Sequence, residues 1–184
     1  MPSPIGHTLA GCAVGLALIP SQMPQAWEAW AWCLIGANLP DVDFIPGFLT
    51  GSPRTFHRGP SHSLMAAFVA AGLGASLWMD SPLPWLTRAG LMFLAYGSHV
   101  GLDYFTPGRG VLLGWPIAHR RYQAARPCFR SIPLGKTRQG FWVRNESRRL
   151  LWAIGREVLL IAPGVAVLAF ARGLTWLPLS NFPL

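Results

Sequence analysis

Charged residues are scarce in this sequence. Only 12% of its 184 residues are Asp, Glu, Lys or Arg, while 52% are hydrophobic. In an ordinary soluble domain roughly a quarter of the residues are charged. This shortage argues against a soluble protein and favours one whose solvent is the lipid bilayer. Because domains commonly contain roughly 100–200 residues, we expect residues 1–184 to form a single membrane-embedded domain.

Closely spaced cysteines are also missing, and a signal peptide is not expected. Cys12, Cys33 and Cys128 show no CxxC spacing, so nothing indicates a zinc finger or a redox motif. Cys12 and Cys33 lie in apolar segments, where a thiol behaves as a small hydrophobic group, and no disulfide is expected. The first residues contain no Lys or Arg, and His7 interrupts the first apolar segment, which disfavours a cleaved signal sequence.

Apolar segments separated by turn residues make up most of the chain. The segments 63–79, 87–106 and 150–171 are candidates to cross a bilayer. The segments 4–20 and 25–39 are shorter, since about 17 residues at ~1.5 Å each cover ~25 Å of a hydrocarbon core near ~30 Å. We expect these two shorter segments to be half-buried, tilted or re-entrant. The sequence therefore predicts an all-α fold, an integral-membrane helical bundle of about five helices.

Positive charge is unevenly distributed along the chain. Of the 15 Lys and Arg residues, 12 lie within 41–62 or 107–149, and the connections 20–25 and 80–86 contain none. Cytoplasmic loops of membrane proteins carry an excess of Lys and Arg. This predicts a multi-pass membrane protein with a cytoplasmic N-terminus, in which 118–149 is a basic cytoplasmic loop.

Histidine and aspartate are concentrated in short clusters beside the apolar segments. Such groups cost several kcal/mol each in apolar surroundings unless they are paired or bound to a metal. With the predicted topology, all the clusters reach the cytoplasmic face. The candidate metal ligands are His7, Asp41, Asp43, His57, His62, His99 and Asp103.

The spacing of the Asp residues suggests their roles. His99 and Asp103 are four residues apart on a predicted helix, so both project from one face and suit a single ion; a His–Asp hydrogen bond between helices is the alternative.

Asp41 and Asp43 follow Pro40. In extended backbone they point to opposite sides, so we expect one ligand and one residue that orients a histidine. A solvated turn also explains the pair.

His57 and His62 flank an Arg-Gly-Pro-Ser sequence. The Gly-Pro pair prevents a continuous helix, and Ser61 or Ser63 is expected to cap the next helix and direct His62 into the bundle. Either both histidines are ligands, or one is a ligand and the other an acid/base, for which we name His62. Arg58 is expected to hold a substrate phosphate oxygen, with lipid headgroups as its alternative partner.

Taken in order, these motifs resemble a known family. The similarity is to the predicted membrane-bound metal-dependent hydrolases, also described as LexA-binding, inner-membrane-associated hydrolases. It covers residues 4–117 and rests on Gly6-His7-Thr8, Gly36 to Asp43, His57 to Ser63, His99 to Asp103, Thr106-Pro107-Gly108 and Gly114-Trp115-Pro116. Pro60-Ser61 stands where the family more often has a variable residue and Thr.

A more distant similarity is to the bacterial zinc-dependent phospholipase C and single-strand nuclease group. The later HxxxE pair of that group is missing here. The resemblances imply metal-assisted hydrolysis with one or two divalent ions, zinc above all. A bound ion would lower the pKa of water from about 16 toward 7 and polarise the scissile group. The resemblances also imply a location in the bacterial inner membrane and a phosphoester or lipid-like anionic substrate at its cytoplasmic face.

Two other classes of function compete with a hydrolase. A transporter would use the same residues as a proton or metal relay, although its polar residues would be spread through the bilayer. A regulatory membrane protein would keep the metal for structure and bind a protein partner through the loop 118–149. Beside a membrane span, that loop is more typical of contact with anionic membrane lipids than with nucleic acid.

Overall fold

A computed structural model describes residues 2–24, 26–51, 56–129 and 147–172, except for the side chains of 147–150. Within these ranges the helices are α1 (Pro4–Leu18), α2 (Ala26–Asn38), a short α3 (Phe44–Leu49), α4 (Leu64–Leu77), α5 (Trp85–Tyr104) and α6 (Ser147–Ala171). Two 3-10 helices cover Leu39–Asp43 and Pro60–His62. The extended pairing found there is one isolated antiparallel bridge between Val111 and Tyr122. The prediction of an all-α fold with about five long helices is confirmed for the described residues.

Serine caps fix the starts of two helices. Ser3 Oγ accepts a hydrogen bond from the backbone N–H of Gly6 at 3.1 Å, and Ser63 Oγ accepts one from that of Ala66 at 3.0 Å. Caps of this kind satisfy N–H groups that have no partner inside the first turn. They place the beginnings of α1 and α4 directly beside two of the predicted ligand segments.

Helix α5 occupies the centre of the bundle. It packs against α1, α2 and α4, and α2 also packs against α1. Alanines supply much of the buried core, including Ala29, Ala37, Ala71 and Ala95. At Gly36 an added Cβ would lie 2.7 Å from the carbonyl oxygen of Met92. Close contacts through small residues are typical of helices that associate in a bilayer.

Helix α6 lies along α1, and polar side chains hold both ends of this contact. Near the start of α1, the buried Glu157 carboxylate accepts hydrogen bonds from the backbone N–H of Ser3 at 2.9 Å and from its hydroxyl. At the other end, Arg172 Nη2 donates to the carbonyl oxygen of Ala17 at 2.8 Å, and Nη1 donates to that of Ile19. The two helices therefore run parallel.

The outer surface of the helices is apolar. Phe68 and Leu77 of α4 are 70% and 85% exposed, and Leu159 and Phe170 of α6 are 72% and 83% exposed. Soluble proteins expose single apolar side chains, but they rarely expose so many large ones together. An alanine-rich core inside a shell of large apolar side chains suits a protein surrounded by lipid.

Only part of the predicted membrane topology is supported. Among the described helices, the stretch Leu151–Ala171 of α6 is long and apolar enough to cross a membrane alone, whereas α1 and α4 are shorter apolar helices. The multi-pass arrangement and the cytoplasmic N-terminus therefore stay predictions. The predicted loop 118–149 extends three residues too far, because α6 begins at Ser147. Residues 130–146 of this loop lie outside the described residues.

Candidate metal centre

All seven predicted metal ligands meet at one end of the bundle. They come from the start of α1, the 3-10 helix after α2, the segment before α4 and the C-terminal part of α5: His7, Asp41, Asp43, His57, His62, His99 and Asp103. The side chains of His62, His99 and Asp103 are fully buried, whereas 18% of the Asp41 side chain is exposed. Solvent therefore reaches the cluster on the side of Asp41.

Asp41 lies among four histidines. Its Oδ1 is 3.6 Å from His57 Nδ1, 4.0 Å from His62 Nε2 and 3.5 Å from His99 Nε2. Its Oδ2 is 3.9 Å from His7 Nε2. These separations are longer than good hydrogen bonds. They are closer to ~3.3 Å, the distance between two ligand atoms of a tetrahedral zinc site in which each zinc–ligand bond measures about 2.0–2.2 Å.

Several buried polar atoms of the cluster have no hydrogen-bond partner. They include both ring nitrogens of His7, Oδ1 of Asp41 and Nε2 of His57. A buried polar atom without a partner costs about 1–3 kcal/mol. Imidazole nitrogen and carboxylate oxygen are ligands that zinc accepts, so a divalent ion would satisfy those of these atoms that bind it.

The donor atoms form three overlapping groups, within each of which they lie no more than 4.8 Å apart. The groups are His7 with Asp41 and His99, Asp41 with His57 and His62, and His62 with His99 and Asp103. Asp41, His62 and His99 each belong to two groups. Of these three side chains, the Asp41 carboxylate could bind ions in two groups at once, because it has two oxygens, whereas each imidazole nitrogen has a single lone pair.

Polar partners outside the three groups orient the histidine rings. His99 Nδ1 lies 2.7 Å from the carbonyl oxygen of Ala37, which accepts its N–H and leaves Nε2 facing the cluster. The two carboxylate oxygens of Asp43 lie 3.2 Å from His57 Nδ1 and 3.2 Å from His62 Nδ1. When an acceptor holds one ring nitrogen, the other is free to bind a metal.

Asp41 and Asp43 both lie beside His57 and His62. That one of them is a ligand and the other orients a histidine stays a prediction, but the reason given for it is wrong. Extended backbone was assumed for Asp41 and Asp43, whereas the structure has a 3-10 helix over Leu39–Asp43. Both carboxylates consequently face the cluster. They differ because Asp41 belongs to two of the ligand groups, while Asp43 hydrogen-bonds to His57 from outside them.

Sequence reasoning missed two polar residues of the site. Ser61 Oγ donates to Asp43 Oδ2 at 2.5 Å and lies 2.9 Å from His62 Nδ1. The Tyr96 hydroxyl donates to the carbonyl oxygen of Ser61 at 2.5 Å. Ser61 was considered only as a helix cap, a role that Ser63 takes. Tyr96 precedes His99 by three residues, so a shared helix face was the available signal.

Arg58 is buried beside Asp103. Its side chain is 3% exposed, and its Nη2 lies 2.8 Å from Asp103 Oδ1. Its Nη1 donates to the carbonyl oxygen of Thr106 at 3.3 Å, and the guanidinium packs so closely on Gly108 that an added Cβ there would lie 2.6 Å from Nη1. The side chain expected to bind a substrate phosphate therefore has a protein carboxylate as its partner.

The residues before α4 have perturbed ionisation. Burial raises the pKa of Asp43, but contacts with His57 and His62 outweigh it and hold this pKa below its usual range. Burial lowers the pKa of His57, with only partial opposition from Asp43. Burial also acts to lower the pKa of His62, yet contacts with Asp103 and Asp43 raise it to about 9. A metal ion at His62 would therefore displace a proton.

A basic segment covers this end of the bundle. Residues 104–129 contain four arginines and no Asp or Glu: Arg109, Arg120, Arg121 and Arg126. Arg121 Nη1 donates to the carbonyl oxygens of Arg58 at 2.9 Å and Gly110 at 3.2 Å. The basic segment thus packs directly on the turn that carries His57 and His62.

Comparison with known proteins places the chain in a family. The model of a protein family described as YdjM inner membrane protein matches residues 1–174, so the chain belongs to that family and is an inner-membrane protein. No curated protein and no solved structure matches the sequence.

Proposed function

Because the chain belongs to an inner-membrane family and carries a buried cluster of metal-binding side chains, we propose that it is a membrane-bound metal-dependent hydrolase. The supporting observation is the cluster itself, in which seven His and Asp side chains converge and several donor atoms have no partner. Its solvent-accessible edge at Asp41 gives a substrate a route to the site.

The three ligand groups suit one or two divalent ions, with zinc as the proposed metal. A divalent ion bound there supplies Lewis-acid polarisation of a phosphoryl or acyl oxygen and lowers the pKa of water. Asp41 is the proposed shared ligand, since its carboxylate belongs to two groups. Arg58 has a positioning role, because its guanidinium holds Oδ1 of Asp103.

The geometry distinguishes the two histidines before α4. His62 belongs to two ligand groups and is fully buried, whereas His57 belongs to one. His57 also has an Nε2 without a partner, and Asp43 holds its Nδ1. We therefore assign His62 to metal binding and His57 to proton transfer, which reverses the roles suggested by the sequence. The sequence-based role of His62 as acid/base stays a prediction that the experiment below also tests.

The proposed reaction consumes one water per ester bond. The water oxygen bonds to phosphorus while the ester P–O bond breaks. Nε2 of His57 takes one proton from the water and passes it to the departing oxygen. The second water proton leaves with the acidic product. A phosphoester is preferred because the basic segment 104–129 supplies cationic groups without competing carboxylates.

Metal analysis combined with a hydrolysis assay tests this function. Protein purified in detergent should contain about one or two divalent ions per chain and hydrolyse members of a panel of phospholipids and generic phosphoesters. His57→Gln should retain metal and lose roughly 10²–10⁴-fold in turnover, while His62→Ala should lose metal as well. His119→Ala, in the exposed loop, is the matched control and should change neither. A wild-type protein that binds no metal at micromolar concentrations would refute the proposal.

A regulatory protein with a structural metal is the second candidate. The deep burial of His62, His99 and Asp103 favours it, because a structural ion is usually enclosed by protein ligands. In that case the ligand variants would lose stability together with metal, and no substrate in the panel would be hydrolysed.

A further inference from the structure

An apolar groove runs along the outer face of α5, between α1 and α4. Its volume is about 370 Å³, within the roughly 300–1,000 Å³ of ligand sites. Its lining includes Leu18, Leu64, Leu94, Gly97 and Ser98. The hydroxyl of Ser98 donates to the carbonyl oxygen of Ala95 at 2.7 Å, so the groove offers an occupant mainly hydrocarbon contacts.

The groove opens toward the lipid-facing side of the bundle. Leu18 and Leu94 on its rim are 46% and 47% exposed. At Gly97, an added Cβ would meet no atom within 4 Å, so the backbone of α5 forms part of an open floor. In an inner-membrane protein, the medium beside such a surface is the hydrocarbon of the bilayer. A water-soluble ligand has little to bind here.

One end of the groove lies at the level of the metal cluster. Ser98 precedes His99 on α5, a rise of only ~1.5 Å along the helix axis. Leu64 is two residues after His62, and its N–H donates to the carbonyl oxygen of Leu113 in the basic segment at 3.2 Å. A molecule whose chain lies in the groove therefore has its head at the level of the metal cluster, on the side where the basic segment 104–129 packs.

We propose that this groove holds one hydrocarbon chain of an anionic membrane amphiphile, so that a lipid phosphoester is a better substrate than a short, soluble one. The hydrolytic part rests on the proposed function, whereas chain binding does not. The apolar lining favours the chain. The arginines favour an anionic head, since guanidinium groups bind phosphate oxygens well. The bilayer supplies such molecules from the side.

Photo-crosslinking tests chain binding without reference to activity. The probe is phosphatidic acid with a diazirine in one acyl chain, mixed into vesicles that contain the full-length protein. Crosslinks in the wild type should concentrate in peptides covering residues 14–18 and 93–98. Gly97→Leu should lower them by about fivefold, the effect of one or two lost methylene contacts.

Gly90→Leu is the matched control. Gly90 lies on the same helix outside the groove lining, and an added Cβ there also meets no atom within 4 Å. It should leave the crosslinks unchanged. Equal labelling of all the exposed leucines of α4 and α6, or an unchanged pattern in Gly97→Leu, would overturn the proposal.

Kinetics with two substrate lengths separate this proposal from the proposed function. Gly97→Leu should raise KM about fivefold for a long-chain lipid phosphoester, while metal content and turnover of a short, soluble phosphoester stay at wild-type values. If the wild type hydrolyses neither substrate but crosslinks in the groove, the hydrolase proposal fails and chain binding stands. If both substrates react and Gly97→Leu affects neither, the groove proposal fails and the hydrolase stands.

Discussion

At the scale of single residues, the cluster is distinguished by side chains that belong to more than one ligand group. Asp41 belongs to two ligand groups, whereas Asp43 contacts the same histidines from outside those groups. Loss of a direct, shared ligand should cost more metal affinity than loss of a residue that orients ligands. The two neighbouring carboxylates therefore offer a comparison within a single turn.

We predict that Asp41→Asn abolishes stoichiometric metal binding, whereas Asp43→Asn weakens it by roughly 10–100-fold, as removal of an orienting partner typically does. Metal analysis after dialysis and competition with a chelator measure both effects. Equal losses in the two variants would show that Asp43 is itself a ligand.

The buried pair of Arg58 and Asp103 connects metal binding to stability. Removal of one partner from a buried ion pair costs up to about 3–5 kcal/mol, because a charge stays buried with less compensation. His62 Nε2, which lies 2.9 Å from Asp103 Oδ2, would still compensate part of it. A bound cation near Asp103 would replace part of the lost positive charge. The cost should therefore depend on the metal.

We predict that Arg58→Met destabilises the metal-free protein by up to about 3–5 kcal/mol and the metal-loaded protein by less. Unfolding in detergent, with and without a chelator, measures the difference, and Arg126→Met in the exposed loop serves as control. Full stability combined with lost turnover would instead restore the role of Arg58 in phosphate binding.

At the scale of helices, length limits how each one meets the bilayer. At ~1.5 Å per residue, the 15 residues of α1 and 14 of α4 span only about 21–23 Å, less than a hydrocarbon core of ~30 Å. The 25 residues of α6 exceed that thickness. Short helices must therefore gain stability from packing, as at the contact between α2 and α5.

Two glycines test this packing. Gly36→Ala should destabilise the protein by about 1–3 kcal/mol, because its Cβ would lie 2.7 Å from the carbonyl oxygen of Met92. Gly72→Ala in α4 should be neutral or stabilise by up to ~1 kcal/mol, since its Cβ would meet no atom within 4 Å. Unfolding in detergent compares the two. Equal stability of the variants would contradict the close approach of α2 and α5.

At the scale of the whole molecule, polarity differs between the two ends of the bundle. The metal cluster and the basic segment share one end. At the other end the connection between α4 and α5 contains Asp80 and no Lys or Arg. This asymmetry supports a cytoplasmic location for the proposed site.

Thiol labelling of intact cells tests the orientation. Cys128 is exposed in the basic segment and should react only after the inner membrane is permeabilised. In a Cys128→Ser background, Asp80→Cys should react from outside, because residue 80 is exposed in the opposite connection. Labelling of Cys128 in intact cells would reverse the orientation and place the site outside the cytoplasm.

Local sequence was enough to predict the helices and to identify the candidate metal ligands. Ser3 and Ser63 cap helices through contacts only three residues along the chain, and the spacing of His99 and Asp103 follows from helix geometry. For the same reason the all-α fold and the convergence of the seven donors were predictable. Each depends on short-range periodicity and on the order of the helices.

The partners of those donors were decided by the tertiary structure. Arg58 contacts Asp103 across 45 residues, and His99 contacts the carbonyl of Ala37 across 62. The packing of distant helices determines which ring nitrogen faces the cluster. It also determines whether an arginine contacts substrate or protein. The groove has the same origin, since three helices line it. Sequence pattern determines which groups are present, whereas packing determines which of them meet, because contact energies act between atoms that are neighbours in space.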